Sequence, residues 1–167
     1  MLTLAANFAH YLSGLTGVAV SSPATLTSAD DNDSTSPIDH SDLLQAIERL
    51  DHALNQVIDL ASVYGDDPRL TTEPLIAPVA ALAGAYLQAS GAAAWIPRSA
   101  DASPVGSGMP DEEIAIATPN GYALDLMGVA RVALFSGAPN LRAIVAQTLQ
   151  MDAAKADAPT PDPLPTE

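Results

Sequence analysis

The sequence predicts a mainly α-helical domain that carries one β-hairpin. Three observations support this prediction: a long amphipathic stripe over residues 39–64, an alanine-rich run without charges over residues 74–97, and an Asn-Gly turn signal within residues 113–127. Apolar residues that recur every three to four positions are typical of a helix with one buried face. Alternation with a period of two is typical of a strand. The chain has 167 residues, which is enough to bury a core around these elements.

The composition argues against several classes of function. The chain has 20 acidic and 6 basic residues, for a formal net charge of −14. A surface with this charge repels phosphate backbones, so direct nucleic-acid binding is not expected. Anionic membrane surfaces are disfavoured for the same reason. Cysteine is absent, which excludes disulfides and thiolate metal sites.

The first part of the chain is uncharged up to Asp30, if His10 is neutral. A signal peptide would also be apolar, but it would begin with positive charges that this segment lacks. We therefore interpret residues 1–20 as an amphipathic N-terminal arm that binds a partner surface. Its apolar residues fall at helical spacing: Leu4, Phe8, Tyr11, Leu12 and Leu15. Residues 21–37 are rich in Ser, Thr, Asp and Pro, and this composition predicts a flexible acidic linker between the arm and the body.

The clearest helix signal covers residues 39–64 and opens the predicted domain of residues 38–155. Asp39 suits the N-cap, and Gly65 suits the position after the last turn. The apolar stripe is nearly unbroken, which predicts a helix with one buried face. We expect its acidic residues on the solvated side: Asp42, Glu48, Asp51 and Asp59.

The uncharged run over residues 74–97 is long enough to raise the alternative of a membrane span. Pro78 is tolerated only near the start of a helix, so the predicted helix covers residues 78–91. About 13 residues give roughly 20 Å of helix, whereas the hydrocarbon core of a bilayer is ~30 Å thick. We therefore predict a central helix buried by protein, with small residues such as Gly84 on one face. Trp95 at its far end is either core packing or a binding anchor.

The last third of the chain predicts a hairpin and a final helix. Thr118-Pro119-Asn120-Gly121 is a turn signal between two alternating stretches, so a hairpin is expected around residues 113–127. The alternative is that residues 122–136 form a helix after the turn. Residues 139–155 predict a C-terminal helix. Residues 156–167 form a Pro-rich acidic tail, expected to be extended.

Nucleophilic catalysis would require a histidine beside a serine or cysteine nucleophile. Two of the three histidines are twelve residues apart on the long helix, about 18 Å at helical rise, so they cannot share a site within one chain. The pattern G-x-S-x-G is absent. The three histidines are His10, His40 and His52.

Ligand motifs are equally weak. Gly106 and Gly108 lie in a glycine-containing loop, but no lysine is near them to neutralise a phosphate. Asp30, Asp31 and Asp33 resemble the start of a calcium loop that lacks its central glycine and its distal glutamate. We therefore name no catalytic, cofactor-binding or metal-ligating residue, and we expect that the protein is not an enzyme.

These observations favour a non-enzymatic structural or assembly protein that docks on other protein subunits through its arm and its tail, as a homo- or hetero-oligomer. Such features are combined in small virion components of tailed bacteriophages, of the head-completion, adaptor or decoration type. This analogy is with a class of proteins and rests on no family motif. The expected location is the cytoplasm or a virion. Two alternatives are an acidic, DNA-mimicking inhibitor that binds a basic protein surface and a small membrane-associated protein. The candidate partner-binding residues are Leu4, Phe8, Tyr11, Leu12, Leu15 and Trp95.

Overall fold

The prediction of a mainly helical fold is confirmed, and the predicted β-hairpin is part of a small three-stranded antiparallel sheet. The computed structural model describes residues 2–26, 40–63, 72–95, 115–136 and 140–157. Three strands form a sheet in the order β1-β2-β3: β1 (Ala94–Trp95), β2 (Ala115–Ala117) and β3 (Ala123–Asp125). Two short 3₁₀ helices cover Pro23–Leu26 and Glu73–Leu75. The α-helices of these ranges are α1 (Leu2–Thr16), α2 (Ser41–Val63), α3 (Ile76–Ala89), α4 (Leu126–Phe135) and α5 (Leu141–Ala156).

Helix α2 closely matches the predicted amphipathic helix. It begins at Ser41, and the carbonyl oxygen of His40 accepts the first turn's hydrogen bond from the Leu44 N–H at 2.9 Å. The expected N-cap Asp39 and stop residue Gly65 lie outside the described residues. The stripe is buried as predicted, and it includes Leu43, Ile47, Leu50, Leu54 and Val57.

Helix α3 is the centre of the fold. Residues 79–87 are all buried, and α1, α2 and α4 pack around them. The helix begins at Ile76, two residues before Pro78. Pro78 therefore lies in the first turn, where a backbone N–H has no intrahelical acceptor to lose. Across the described ranges, no helix combines the length and the apolar character that crossing a bilayer requires.

Gly91 ends α3 and directs the chain into the sheet. Its φ of 70° is in the left-handed region, which glycine adopts without steric cost. The N–H of Ala92 donates to the carbonyl of Leu87, and the N–H of Gly91 donates to that of Gln88. This pair of bonds is a Schellman motif. Strand β1, which the sequence did not predict, follows directly and pairs Trp95 with Ile116 of β2.

The predicted hairpin is present but shorter than expected. The N–H of Gly121 donates to the carbonyl of Thr118 and closes the turn. Gly121, the last residue of this turn, has a φ of 85°, a left-handed conformation that glycine favours. Strand β3 ends at Asp125 because the Asp125 side chain accepts from the Gly128 N–H at 3.0 Å and caps α4. The expectation of strand up to residue 127 was therefore wrong, and residues 126–135 are helical, as in the alternative prediction for this segment.

The placement of Asp51 on a solvated face was also wrong. Its side chain is buried, and its two carboxylate oxygens accept from the N–H groups of Leu141 and Arg142, each at 2.9 Å. Asp51 thus caps the first turn of α5 from α2, at a position where the helix dipole favours negative charge. Desolvation by burial raises the pKa of Asp51 above its ordinary value, against the opposing effect of these hydrogen bonds.

Helix α1 is part of the core, which differs from the expectation of a separate arm. It packs mainly against α3 and also against α2. The expected linker also begins differently, because the 3₁₀ helix at residues 23–26 packs on α3 and Pro23 is buried. The rest of the linker and most of the acidic tail, residues 27–37 and 158–167, lie outside the described residues.

Candidate functional site

Helix α1 has one face in the core, and three of its apolar residues stay exposed along the edge of its solvent face, beside the exposed polar residues Thr3, Asn7 and His10. The core face uses small residues and one leucine: Ala5, Ala9 and Leu12 are at most 2% exposed. On the outer face Leu4 is 51% exposed, Tyr11 58% and Leu15 46%. At 3.6 residues per turn these three positions fall within an arc of about 40°. We call them the α1 stripe.

Phe8 borders the stripe and links it to the core. Its side chain is only 7% exposed and belongs to the core cluster. The Phe8 and Tyr11 rings are stacked, with centroids 6.5 Å apart and an interplanar angle of 21°. Contact with a buried ring restricts the motion of the exposed Tyr11 side chain, so the middle of the stripe is pre-ordered for contact.

Two polar contacts fix the end of α1 to the body. The Ser13 hydroxyl oxygen accepts from the Val20 N–H at 3.0 Å, which folds the chain back after the helix. The Tyr86 hydroxyl of α3 then donates to the carbonyl oxygen of Ser21. Tyr86 is fully buried, and burial raises the pKa of its phenol, which therefore stays protonated and can donate. The stripe is thus presented by a helix that is held at its C-terminal end.

The predicted partner-binding residues separate into two groups. Leu4, Tyr11 and Leu15 form the stripe, whereas Phe8 and Leu12 are buried. Trp95 is half-buried on β1, where its indole N–H donates to the Gln88 side-chain oxygen at 2.7 Å. Its ring covers Gly84 of α3, where a Cβ atom would overlap it. The position of Trp95 therefore fits core packing, and it lies on another element than the stripe.

Charge is absent from the stripe and frequent elsewhere. Apart from His10, the first ionisable side chain that is charged at neutral pH is that of Asp30, so α1 contains no Asp, Glu, Lys or Arg. Helix α3 is also uncharged but is buried. The other described α-helices carry exposed charges: Asp42, Glu48 and Asp59 on α2, Arg131 on α4, and Arg142 and Lys155 on α5. Arg142 and Glu48 form an exposed ion pair at 3.5 Å.

A shallow groove of about 300 Å³ lies between α4 and α5. Its one charged lining residue is Asp125, whose carboxylate already caps α4. The other lining residues are Gly128, Val129, Val132 and Ile144, which provide no nucleophile or proton donor. In the described part of the chain, no group of three or more His, Asp or Glu side chains is arranged to hold a metal ion. The groove therefore offers no side chain for catalysis or metal binding, and the stripe is the stronger candidate for a functional surface.

Comparison with known proteins found no significant match: no family model, no curated protein and no solved structure is similar enough to this chain. The stripe is therefore interpreted from its own geometry and chemistry.

Proposed function

We propose that this protein is a non-enzymatic assembly subunit that docks onto another protein chain through the α1 stripe. The observation that carries the proposal is the exposure of Leu4, Tyr11 and Leu15 in one row on an uncharged helix that the core holds in place. Apolar patches that remain exposed on a folded surface commonly mark protein contacts. Tyrosine and leucine supply contact area at low entropic cost when their helix is already formed.

The magnitude of the available energy suggests a reversible contact. Complete burial of one large apolar side chain contributes about 1.5–3 kcal/mol. Because the three stripe residues are about half exposed, docking contributes roughly 3 kcal/mol from their side chains. Association also costs rigid-body entropy, so neighbouring atoms of α1 must add to the contact.

A protein surface fits the stripe better than a lipid surface. Helices that lie in a membrane interface usually carry Lys and Arg on their polar face, and α1 carries neither. A virion subunit of a tailed bacteriophage is one form that such an assembly protein takes, and we retain it as a proposal by analogy of class. The acidic tail remains a second proposed docking segment.

Site-specific photocrosslinking in the cells that naturally make the protein tests the proposal. A photoreactive phenylalanine analogue replaces Tyr11 in one variant and Leu60 in the control, because Leu60 is a 41% exposed apolar residue on α2. We expect one crosslinked product of defined mass from position 11, which is lost when Leu15→Gln is added. The absence of a product at position 11, or the same products from both positions, would contradict the proposal.

A further inference from the structure

We infer that Asn120, in the hairpin turn, is a site of spontaneous deamidation that opens the contact between the turn and α5. The hydrogen bonds of Asn120 to Asp152 slow the reaction in the folded protein, and the product cannot form them again. The reaction is independent of the α1 stripe and therefore goes beyond the proposed function.

Asn120 is the one asparagine of the chain that is followed by glycine. The five asparagines are followed, in chain order, by Phe8, Asp33, Gln56, Gly121 and Leu141. Deamidation requires the backbone nitrogen of the next residue to reach the side-chain carbonyl carbon of the asparagine, and a side chain on that next residue hinders the approach. Glycine has no Cβ atom and leaves the approach open. The sequence therefore makes Asn120 the most reactive asparagine of the chain.

The reaction consumes only water, and its atoms balance. The Gly121 nitrogen loses its proton and attacks the Cγ atom of Asn120, so that a new N–Cγ bond closes a succinimide ring. The Cγ–Nδ2 bond breaks, and the amide nitrogen takes up a proton and leaves as ammonia. Water then opens the ring at either carbonyl carbon, which gives aspartate or isoaspartate at position 120.

The folded turn holds both the nucleophile and the leaving group. The Gly121 N–H donates to the Thr118 carbonyl oxygen at 3.0 Å. The Asn120 Nδ2 atom donates to the Asp152 Oδ2 atom at 3.0 Å and to the Asp152 carbonyl oxygen at 3.1 Å. Ring closure removes the proton from the Gly121 nitrogen and expels Nδ2, so all three bonds must break. The reaction therefore proceeds from a turn that has opened locally.

Two side chains of α5 keep the turn closed. The Asp152 Oδ1 atom accepts from the Asn120 N–H at 3.1 Å. The Lys155 Nζ atom donates to the Asn120 carbonyl oxygen at 2.6 Å and lies 5.2 Å from the centre of the Tyr122 ring. Asp152 and Lys155 are three positions apart, on one side of α5. The deamidation rate should therefore follow the fraction of time for which α5 and the turn are separated.

The product cannot restore the contact with Asp152. Deamidation replaces the Nδ2 donor with a carboxylate oxygen, which then faces the two former acceptors of Asp152. Both carboxylates are negative at neutral pH and repel each other at short range. Lys155 offsets only part of this repulsion, because it supplies one positive charge for two negative charges. Isoaspartate also adds an atom to the backbone and displaces the Gly121 N–H from Thr118.

Peptide mapping by mass spectrometry after incubation of the full chain at mildly alkaline pH measures the reaction. The folded chain is compared with the same chain unfolded in guanidinium chloride, and an isoaspartate-specific methyltransferase detects the second product. We expect Asn120 to react at least about tenfold more slowly in the folded chain. Faster conversion at another asparagine of the unfolded chain, or equal rates at Asn120 in the folded and unfolded chain, would overturn the inference.

Asp152→Ala tests the protecting contact and should remove most of the difference between the folded and unfolded rates. Leu12→Ala is the matched control, because it weakens the core at α1, which packs mainly against α3. It should keep the folded wild-type rate. Circular dichroism confirms that each variant is folded, and Asp152→Asn, which keeps one side-chain acceptor, replaces the alanine variant if that variant does not fold. Equal rates in the Asp152 variant and in Leu12→Ala would overturn the inference.

Asn120→Asp reproduces the aspartate product and tests its effect on the fold. In amide hydrogen exchange we expect protection in residues 115–125 and in α5 to fall at least about tenfold, whereas α3 keeps its protection. Asn120→Ala removes the donor without adding charge, so its loss of protection should be smaller. Unchanged protection of the turn and α5 in Asn120→Asp would overturn the inference.

Discussion

Replacing Asp152 with alanine is expected to reduce the free energy of unfolding by about 1–3 kcal/mol, because one carboxylate organises the contact between α5 and the hairpin turn. The Asp152 carboxylate accepts hydrogen bonds from the Thr118 hydroxyl, from the Asn120 N–H at 3.1 Å and from the Asn120 side-chain amide at 3.0 Å. Removal of the carboxylate leaves the Asn120 N–H without its acceptor, whereas the Asn120 side-chain amide keeps the Asp152 carbonyl oxygen and the Thr118 hydroxyl keeps that of Tyr122. Chemical denaturation monitored by circular dichroism measures the loss. The exposed acid Asp59 provides the control, and Asp59→Ala should change stability by less than about 0.5 kcal/mol.

The effect of Asp152→Ala should also depend on pH. Desolvation raises the pKa of Asp152, but the hydrogen bonds from Thr118 and Asn120, together with the charge of Lys155, outweigh it and hold the pKa below its ordinary value. Its contribution is therefore complete above the ordinary carboxyl pKa of about 4 and is lost as the pH falls through the lowered pKa. The pKa of Asp51 is raised, so its contribution to stability has the opposite dependence on pH. Asp51 is present in both the wild-type protein and the Asp152→Ala variant, so it does not affect the difference between them. The stability difference should shrink below about pH 4, and a difference that grows there would contradict this account.

Gly84→Ala is expected to destabilise the protein by about 1–3 kcal/mol, although alanine is the better helix former. A Cβ atom at residue 84 would overlap the Trp95 ring and the Leu126 side chain. Relief of such overlap in a packed core typically costs this amount, which exceeds the gain of about 1 kcal/mol in helix propensity. Trp95 is the single tryptophan of the chain, so its fluorescence reports the displacement directly. We expect a red-shifted emission together with a lower denaturation midpoint.

Gly14→Ala is the matched control for this prediction. The same glycine-to-alanine change is made in a helix, but the Cβ atom enters space that is empty within 4 Å of the described chain. Stability at low protein concentration should therefore rise by up to about 1 kcal/mol, with unchanged tryptophan emission. Stabilisation by both changes would show that α3 is not packed closely against Trp95.

Elements determined by local signals were predictable from the sequence. The stripe of α2 follows from the helical period, the start of α3 from Pro78, and the hairpin turn from Thr118 to Gly121. Strand β1 was missed because two residues carry no periodicity, and their pairing with β2 depends on a partner about 20 positions away. Helix α4 was predicted only as the alternative to a longer strand, because Gly128 and Arg131 weaken the helical pattern of its sequence.

The faces of α1 show why the candidate site was only partly predictable. Periodicity groups Leu4, Phe8, Tyr11, Leu12 and Leu15 together and cannot distinguish a buried large residue from an exposed one. Helix α3, against which α1 packs, is rich in alanine, and the most buried residues of α1 are the small Ala5 and Ala9 together with Leu12. Of its larger residues, Phe8 and Leu12 are buried, whereas Leu4, Tyr11 and Leu15 stay about half exposed. Long-range polar contacts, such as Asp51 capping α5, leave no local signal in the sequence.

Amide hydrogen exchange of residues 2–16 in dilute solution tests the central claim most directly, because α1 must be a fixed part of the core in the monomer in order to present its stripe. With the protein at about 1 μM, we expect the α1 amides to be protected to an extent comparable with those of α3. Rapid exchange throughout residues 2–16, with protection retained in α2 and α3, would show a detached segment and would contradict the account.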